Sequence, residues 1–239
     1  MNTATVQASR ATERAQQPIG QIAVDLPGAT AVFRRLKLDF CCGGQTALAQ
    51  ACEDKGLALP AVLDALAQLE RPTSAAAPQA PAEMIDHILS RYHEVHRQQL
   101  PELIRMARRV ESVHRANPHV PHGLADHLEA MEVELLSHMA KEELVLFPAL
   151  RQNATSGVSM PIQVMRSEHN DHGQQLERLM ALCNDANPPP GACNTWRALY
   201  AGIQQFSDDL INHIHTENNL LFPPFEQAQT GCGSGCGCA

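Results

Sequence analysis

The chain has 239 residues, 44% of them hydrophobic, and a formal net charge of −8 at pH 7, so it is long enough for a sizeable core and a second small unit. The acidic balance, the two Tyr and one Trp and the lack of a basic stripe argue against nucleic-acid binding. Because no apolar run approaches a membrane span and the polar N-terminus has no secretory h-region, we expect a cytoplasmic protein without a membrane partner.

Five segments are predicted in chain order. Residues 1–17 are polar and predict a flexible lead, and residues 18–71 show short helical patterns that predict a small helical domain. The Pro-, Ala- and Ser-rich residues 72–81 predict a linker. Residues 82–228 contain four long helical patterns punctuated by Pro and Gly, and residues 229–239 form a Gly- and Cys-rich tail. The predicted fold class is therefore all-α, an up-down-up-down four-helix bundle preceded by a small helical domain.

Each long helical pattern carries one apolar seam with a 3-4 spacing, and every seam is interrupted by His at its centre. The third seam is predicted to comprise Ile162, Met165, His169, His172, Leu176 and Leu179. The first seam is predicted to begin with Leu89, His93 and His96. The second seam is predicted to end with His138, Glu142, Val145 and Ala149, and the fourth with His213, Glu217 and Leu220. Polar residues thus replace core residues at one level of the bundle.

The pattern His-x3-Glu-x4-Phe-Pro occurs twice with identical spacing, at residues 138–148 and again at 213–223. An upstream His pair precedes each copy, His93 with His96 and His169 with His172. The bundle therefore reads as a duplicated helix hairpin in which each half supplies an upstream His and a His-x3-Glu pair to a shared interior.

The residue types suit a buried pair of cations. Residues four apart share a helix face, so His138 and Glu142 can reach one centre. A carboxylate in an apolar core costs several kcal/mol unless a proton or a cation compensates its charge. Imidazole with carboxylate favours non-haem iron, and the six side chains would leave positions open for a bridge and a small ligand. The alternatives are buried ion pairs and ordinary core histidines. Glu143, off the seam, is expected to be solvated and dispensable for metal binding.

Five stretches resemble the hemerythrin-like family and, more specifically, its iron-sulfur cluster repair group of ScdA/YtfE type, the repair of iron centres proteins. They read LDFCCGG (38–44), IDHILSRYHEVHRQQLPELI (85–104), SHMAKEELVLFP (137–148), SEHNDHG (167–173) and HIHTENNLLFP (213–223). The resemblance covers residues 18–227.

The resemblance implies an oxo- or hydroxo-bridged centre of two non-haem iron ions. The implied ligands are His93, His138, Glu142, His169, His213 and Glu217. Glu142 and Glu217 would bridge the irons. Spacing alone leaves His96 and His172 open as ligands or as partners of ligands, and the resemblance favours His93 and His169 instead. Glu168, beside a ligand, is implied as a carboxylate that supports the centre.

The resemblance also implies a function in nitrosative or oxidative stress. Damaged iron-sulfur clusters would be repaired by iron donation or nitrosyl removal, with damaged iron-sulfur proteins and nitric oxide, or another small diatomic ligand, as partners. The alternative is a nitric oxide-binding protein that scavenges or senses the gas in the cytoplasm. Whether the protein is an enzyme, reducing nitric oxide or peroxide, stays open, and a dioxygen binder is disfavoured because one His ligand fewer is evident than in hemerythrin.

The eight cysteines are expected to be thiols or metal ligands rather than a disulfide framework. Cys41 and Cys42 precede a helical pattern, which favours a lowered thiol pKa and a role in passing iron, electrons or a nitrosyl group. The alternative is that they are two small residues filling a tight turn. The tail cysteines Cys232, Cys236 and Cys238 predict either a soft-metal site or thiol reservoir, or a disordered end.

Overall fold

The computed structural model describes residues 12–26, 28–69, 80–154 and 156–230, with the side chains of the last four excepted. Most of the predicted lead and linker, and the tail with Cys232, Cys236 and Cys238, lie outside these residues. Over the described ranges the backbone forms helices and no β-strand, and one isolated antiparallel bridge joins Pro18 and Ala47. The all-α prediction is confirmed.

The chain divides into two compact units, and the first comprises the N-terminal helices together with Ile214–Pro223. Its helices are α1 (Ile19–Asp25), α2 (Ala29–Arg35), α3 (Leu48–Asp54) and α4 (Leu59–Ala67). The helix α1 packs on α2 and on Thr216–Leu221, and α4 packs on α2 and α3. Ile22, Phe33 and Leu48 are fully buried and form part of this unit's core.

The second unit comprises Ala80–His213 and the residues after Pro223. Its helices are α5 (Pro81–Ile88), α6 (Glu94–Val113), α7 (Leu124–Lys141), α8 (Phe147–Arg151), α9 (Ser159–Leu182), α10 (Asn194–His215) and α11 (Pro223–Thr230). The helix α7 packs between α6 and α9. Arg91 pairs with Asp209, and His114 contacts the Trp196 ring, so the first and fourth long helices also meet. Four long helices thus pack as the predicted bundle.

Three π-helical segments interrupt the long helices: Leu89–His93, Glu142–Leu146 and Thr216–Leu221. In the second and third, the Phe of the repeated motif donates its N–H to the Glu carbonyl five residues earlier, Phe147 to Glu142 and Phe222 to Glu217. The Pro that follows each Phe has no N–H and cannot donate an α-helical hydrogen bond. The repeated motif therefore specifies a π turn that begins at or beside its Glu.

The π segments shift the buried face by one residue, which corrects three of the four predicted seams. After Glu142 the buried residues of this segment and the short helix that follows are Leu146, Phe147 and Leu150, whereas the predicted Val145 is 61% exposed. After Glu217, Leu221 is fully buried, whereas the predicted Leu220 is only partly buried.

The same shift occurs upstream of the first His, where Ile88 is buried and Leu89 only partly so. Each π segment contains one residue more than the α-helical spacing allows for. The helix α9 has no such segment, and all six residues of its predicted seam are buried.

Candidate metal centre

The structure brings all six predicted ligands into the bundle interior at one level. Each of them is at most 1% exposed. They are His93, His138, Glu142, His169, His213 and Glu217. His93 is the last residue of the first π segment, and Glu142 is the first residue of the second. Glu217 is the second residue of the third π segment.

The ligand atoms form two overlapping groups, within each of which they lie within 4.8 Å of one another. One group is His93, Glu142, His213 and Glu217, and the other is His138, Glu142, His169 and Glu217. Both carboxylates belong to both groups. This is the placement that two bridging carboxylates need, and the bridging role stays a prediction.

The distances between the ligand atoms fit one cation in each group. The Nε2 atoms of His93 and His213 are 3.1 Å apart, and those of His138 and His169 are also 3.1 Å apart. Two nitrogens about 2.1 Å from one cation and at right angles lie about 3.0 Å apart. Glu142 directs Oε2 to 3.4 Å from His93 Nε2 and Oε1 to 3.4 Å from His138 Nε2. One oxygen therefore faces each His pair.

Glu143 fixes the orientation of His93 and is only 29% exposed, whereas the sequence predicts a solvated side chain. His93 Nδ1 donates to Glu143 Oε1 at 2.7 Å, and Arg97 Nη2 donates to the same oxygen at 2.7 Å. Burial alone would raise the pKa of Glu143, but the hydrogen bonds from His93 and Arg97 lower it overall. Because a carboxylate only accepts, the His93 proton sits on Nδ1, and the lone pair on Nε2 faces the centre.

Glu168 makes the equivalent contact with His138, the ligand of the neighbouring helix. His138 Nδ1 donates to Glu168 Oε2 at 2.9 Å, and Lys141 Nζ donates to its other oxygen. These hydrogen bonds lower the pKa of Glu168, although burial alone would raise it. The predicted supporting role of Glu168 therefore has a geometric basis. The sequence suggests this role because Glu168 precedes the ligand His169, but the ligand that Glu168 contacts is His138.

His96 and His172 are buried but lie in neither ligand group of the described residues. His172 contacts the His138 ring edge-on, at 5.0 Å between centroids. Burial, followed by the neighbouring His138, lowers the pKa of His172 to about 4. His96 packs against Tyr92 and Phe206. Both act as packing partners of the ligand layer in this geometry.

The electrostatics of the interior favour neutral imidazoles and added positive charge. Burial and then the neighbouring His93 lower the pKa of His213 well below its ordinary value, so its ring is neutral. Two fully buried carboxylates, Glu142 and Glu217, share this interior. Desolvating two carboxylates costs several kcal/mol each without a compensating charge. Two bound cations would supply that charge.

Comparisons with known proteins agree with this geometry. Residues 84–225 match the family described as the hemerythrin HHE cation binding domain. Residues 15–70 match ScdA_N, described as a domain of unknown function. The iron-sulfur cluster repair protein YtfE of Citrobacter koseri is 50% identical over 209 residues, which are 87% of this chain and 95% of the relative. That of Dickeya chrysanthemi is 48% identical over 210 residues, with the same coverage.

The chain belongs to the YtfE group of the hemerythrin HHE family. The family is described as cation binding, which agrees with the two ligand groups in the interior of the bundle. The buried donor set of four imidazoles and two carboxylates fits the predicted pair of non-haem irons in donor type and in spacing. No helix among the described residues is long and apolar enough to cross a membrane.

In this hemerythrin-type chain the Cys pair does not sit at a helix N-terminus. The next helix, α3, begins at Leu48, six residues after Cys42. Cys41 is buried and donates its thiol to Asp39 Oδ1 at 3.2 Å. The contact with Cys42, burial and the Asp39 charge raise the pKa of Cys41 well above its ordinary value. The expectation of a lowered thiol pKa is therefore wrong for Cys41, because the Cys42 contact, burial and the Asp39 carboxylate all disfavour the thiolate and no helix begins beside it.

Proposed function

We propose that this protein repairs damaged iron-sulfur clusters under nitrosative or oxidative stress, using a buried di-iron centre. The observation that carries the proposal is the position of Glu142 between two His pairs, with one oxygen 3.4 Å from each. Relatives that are about half identical over nearly their whole length bear the name iron-sulfur cluster repair protein. The same centre in this chain supports the same class of activity.

When bound, two irons supply redox chemistry and open positions for a small ligand. The protein's residues hold those irons and tune them. Glu143 and Glu168 keep two imidazoles in the tautomer that directs Nε2 inward, as their hydrogen bonds to His93 and His138 require. Arg97 and Lys141 in turn hold these two carboxylates at the surface of the bundle.

Restoration of a damaged enzyme tests this proposal. A [4Fe–4S] dehydratase such as aconitase is inactivated with nitric oxide, then incubated with the iron-loaded protein. We expect activity to return with the wild-type chain and with Glu102→Ala, a surface carboxylate bonded to Arg105. We expect no return with Glu142→Ala. Equal recovery with wild type and with Glu142→Ala would contradict a role for the di-iron centre.

The isotope content of the repaired enzyme separates iron donation from nitrosyl removal. The protein is loaded with ⁵⁷Fe before incubation. Iron donation predicts ⁵⁷Fe in the repaired cluster, whereas nitrosyl removal predicts recovery without it. Cys41→Ala with Cys42→Ala tests the thiol transfer step, which requires both thiols. Full recovery with that double variant would exclude transfer through the Cys pair.

Nitric oxide binding without repair is the second candidate function. It is favoured by the number of ligands, because each cation group offers four side chains whereas octahedral iron takes six donors. Nitric oxide or another small diatomic ligand would take the remaining positions. Consumption of nitric oxide in a fixed ratio to protein, with no restored dehydratase, would favour this function. Nitrous oxide in large excess over protein would favour catalytic reduction instead.

The domain boundaries and the cellular location also belong to this proposal. Residues 18–71 and 82–228 would act as separate domains joined by the linker at 72–81, in the cytoplasm where iron-sulfur proteins are made. Limited proteolysis should cut first within 72–81 and leave two resistant fragments. Fractionation should recover the protein with cytoplasmic markers. Cleavage inside either fragment before the linker would contradict the proposed boundaries.

A further inference from the structure

A second cluster of metal-binding side chains lies in the loop between α2 and α3. Asp39, Cys41 and Cys42 offer one carboxylate oxygen and two sulfurs, all within 4.8 Å of one another. The two sulfurs are 3.7 Å apart, and Cys41 Sγ is 3.2 Å from Asp39 Oδ1. None of these residues belongs to the di-iron centre.

These separations match tetrahedral coordination of one cation. Two sulfurs at about 2.3 Å from a zinc ion, at the tetrahedral angle, lie about 3.75 Å apart. A sulfur and a carboxylate oxygen bound to the same ion lie about 3.5 Å apart. The observed sulfur–sulfur distance agrees with the first value, and the sulfur–oxygen distance is a few tenths of an ångström short of the second. Small side-chain rotations would bring all three atoms onto one ion.

The loop is already held in the required conformation by backbone hydrogen bonds. Asp39 accepts the N–H of Cys42 on Oδ1 and the N–H of Gly43 on Oδ2, both at 2.9 Å. Asn218 donates to the Cys41 carbonyl at 3.0 Å, within the same unit of the structure. Binding would therefore require little ordering of the chain, which favours affinity.

Close packing around the two glycines keeps the loop in place. Asn219 donates to the Phe40 carbonyl at 3.2 Å. A Cβ on Gly44 would lie 2.7 Å from that carbonyl oxygen and 3.0 Å from Asn219 Oδ1. A Cβ on Gly43 would lie 2.9 Å from the Asp39 carbonyl oxygen. The sequence Cys-Cys-Gly-Gly is thus explained by a loop that folds tightly over its own ligand atoms.

We propose that Asp39, Cys41 and Cys42 form a site for one thiophilic divalent cation of the Zn²⁺ and Fe²⁺ class, separate from the di-iron centre. Soft and borderline cations prefer thiolate ligands, and a carboxylate completes a site of modest affinity. Cys42 is only partly buried, which leaves the fourth position to water. Binding one cation converts two thiols to thiolates and releases up to two protons to the buffer.

Cobalt titration of the iron-loaded full chain tests the proposal. All proteins carry Ser at the three tail cysteines, Cys232, Cys236 and Cys238, because these thiols would compete for cobalt. The di-iron centre is filled first, and its iron content is followed so that exchange is detected. We expect one further equivalent of Co²⁺ to bind with a sulfur-to-cobalt charge-transfer band and tetrahedral visible bands.

Substitutions locate the bound ion. Cys42→Ser and Asp39→Asn should each weaken Co²⁺ binding roughly tenfold or more, as expected for loss of one of three ligands. Cys52→Ser removes a buried thiol of the same unit that is not part of the cluster, and should change nothing.

Unchanged iron content verifies that the bundle of each variant is folded, and an unchanged circular dichroism spectrum verifies that its N-terminal helices are folded. Cys42 is partly exposed, so serine there should not disturb folding, and this variant decides the result even if Asp39→Asn perturbs the loop. No thiolate band in the parent protein, or an undiminished band in Cys42→Ser, would overturn the proposal. Failure of the repair assay would leave this result unaffected, because cobalt binding is measured without any damaged enzyme.

Discussion

Removal of the Glu143 side chain should weaken iron binding although Glu143 is not itself a ligand. Its carboxylate accepts the Nδ1 proton of His93 at 2.7 Å and so fixes the ring that presents Nε2 to the centre. Loss of such a partner of a metal-bound His typically lowers metal affinity about 10- to 100-fold, which is about 1.4–2.8 kcal/mol. We expect Glu143→Ala to fall in this range. Glu143→Gln, which keeps an acceptor but loses the charge, should give a smaller loss.

Two matched variants separate the His93 contact from general loss of charge. Arg97→Ala removes the other partner of Glu143, a pair whose side chains are 39% and 29% exposed. Such pairs contribute about 0.2–1 kcal/mol, so the loss of iron affinity should stay below about fivefold. Glu102→Ala removes an exposed carboxylate that is bonded only locally to Arg105, and should leave iron affinity unchanged.

Competition between the protein and a ferrous chelator measures these affinities, with circular dichroism to verify that each variant is helical. The expected order of iron retention is wild type and Glu102→Ala, then Arg97→Ala, then Glu143→Gln, then Glu143→Ala. Wild-type retention by Glu143→Ala would refute the reasoning. A loss in Arg97→Ala as large as in Glu143→Ala would show that charge, rather than the orientation of His93, is what matters.

Three further predictions concern stability and are measured by urea unfolding. Leu146→Ala should lower the free energy of unfolding by about 2–5 kcal/mol and Val145→Ala hardly at all, because the π segment buries Leu146 and exposes Val145. A larger loss in Val145→Ala than in Leu146→Ala would contradict the one-residue shift of the buried face. Gly44→Ala should destabilise the protein by about 1–3 kcal/mol, because its Cβ would lie 2.7 Å from the Phe40 carbonyl oxygen; unchanged stability would contradict this close approach. Burial lowers the pKa of His215 from 6.5 to about 4, so on acidification the unfolded chain takes up a proton before the folded chain does. The free energy of unfolding should therefore fall as pH drops from 6.5 to 4, and His215→Gln should remove up to about 3 kcal/mol of that fall. Equal pH profiles of wild type and His215→Gln would contradict this.

The bundle was predictable from sequence because its apolar residues recur with helical spacing. In α9 the spacing is uninterrupted, and every residue of the predicted seam is buried. In the other three helices the prediction failed by one residue on the far side of a ligand. A 3-4 spacing assumes α-helical turns throughout, and it has no means of placing the extra residue of a π turn. The Phe-Pro pair that ends each copy of the motif is the signal that marks those turns.

The ligands were predictable for a related reason, since residues i and i+4 must share a helix face. The partners of the ligands were less so. The sequence points to Glu168 only through the ligand beside it, and it does not connect Glu143, which lies off the seam, with the centre. Glu143 contacts His93 and Glu168 contacts His138, in each case a residue of another helix, so only the packing of the bundle brings the partners together. The sequence favours a lowered pKa for the Cys41 thiol, whereas the folded loop raises it through the contact with Cys42, burial and the charge of Asp39.

The number of irons bound per chain tests the central claim most directly. The protein is purified without chelator, saturated with ferrous iron under anaerobic conditions and analysed for iron and protein after removal of excess metal. The geometry of Glu142 and Glu217, each shared between two His pairs, predicts two irons in the wild-type chain and fewer in Glu142→Ala and Glu217→Ala. One iron or none in the wild-type chain, or two in both variants, would contradict a carboxylate-bridged di-iron centre.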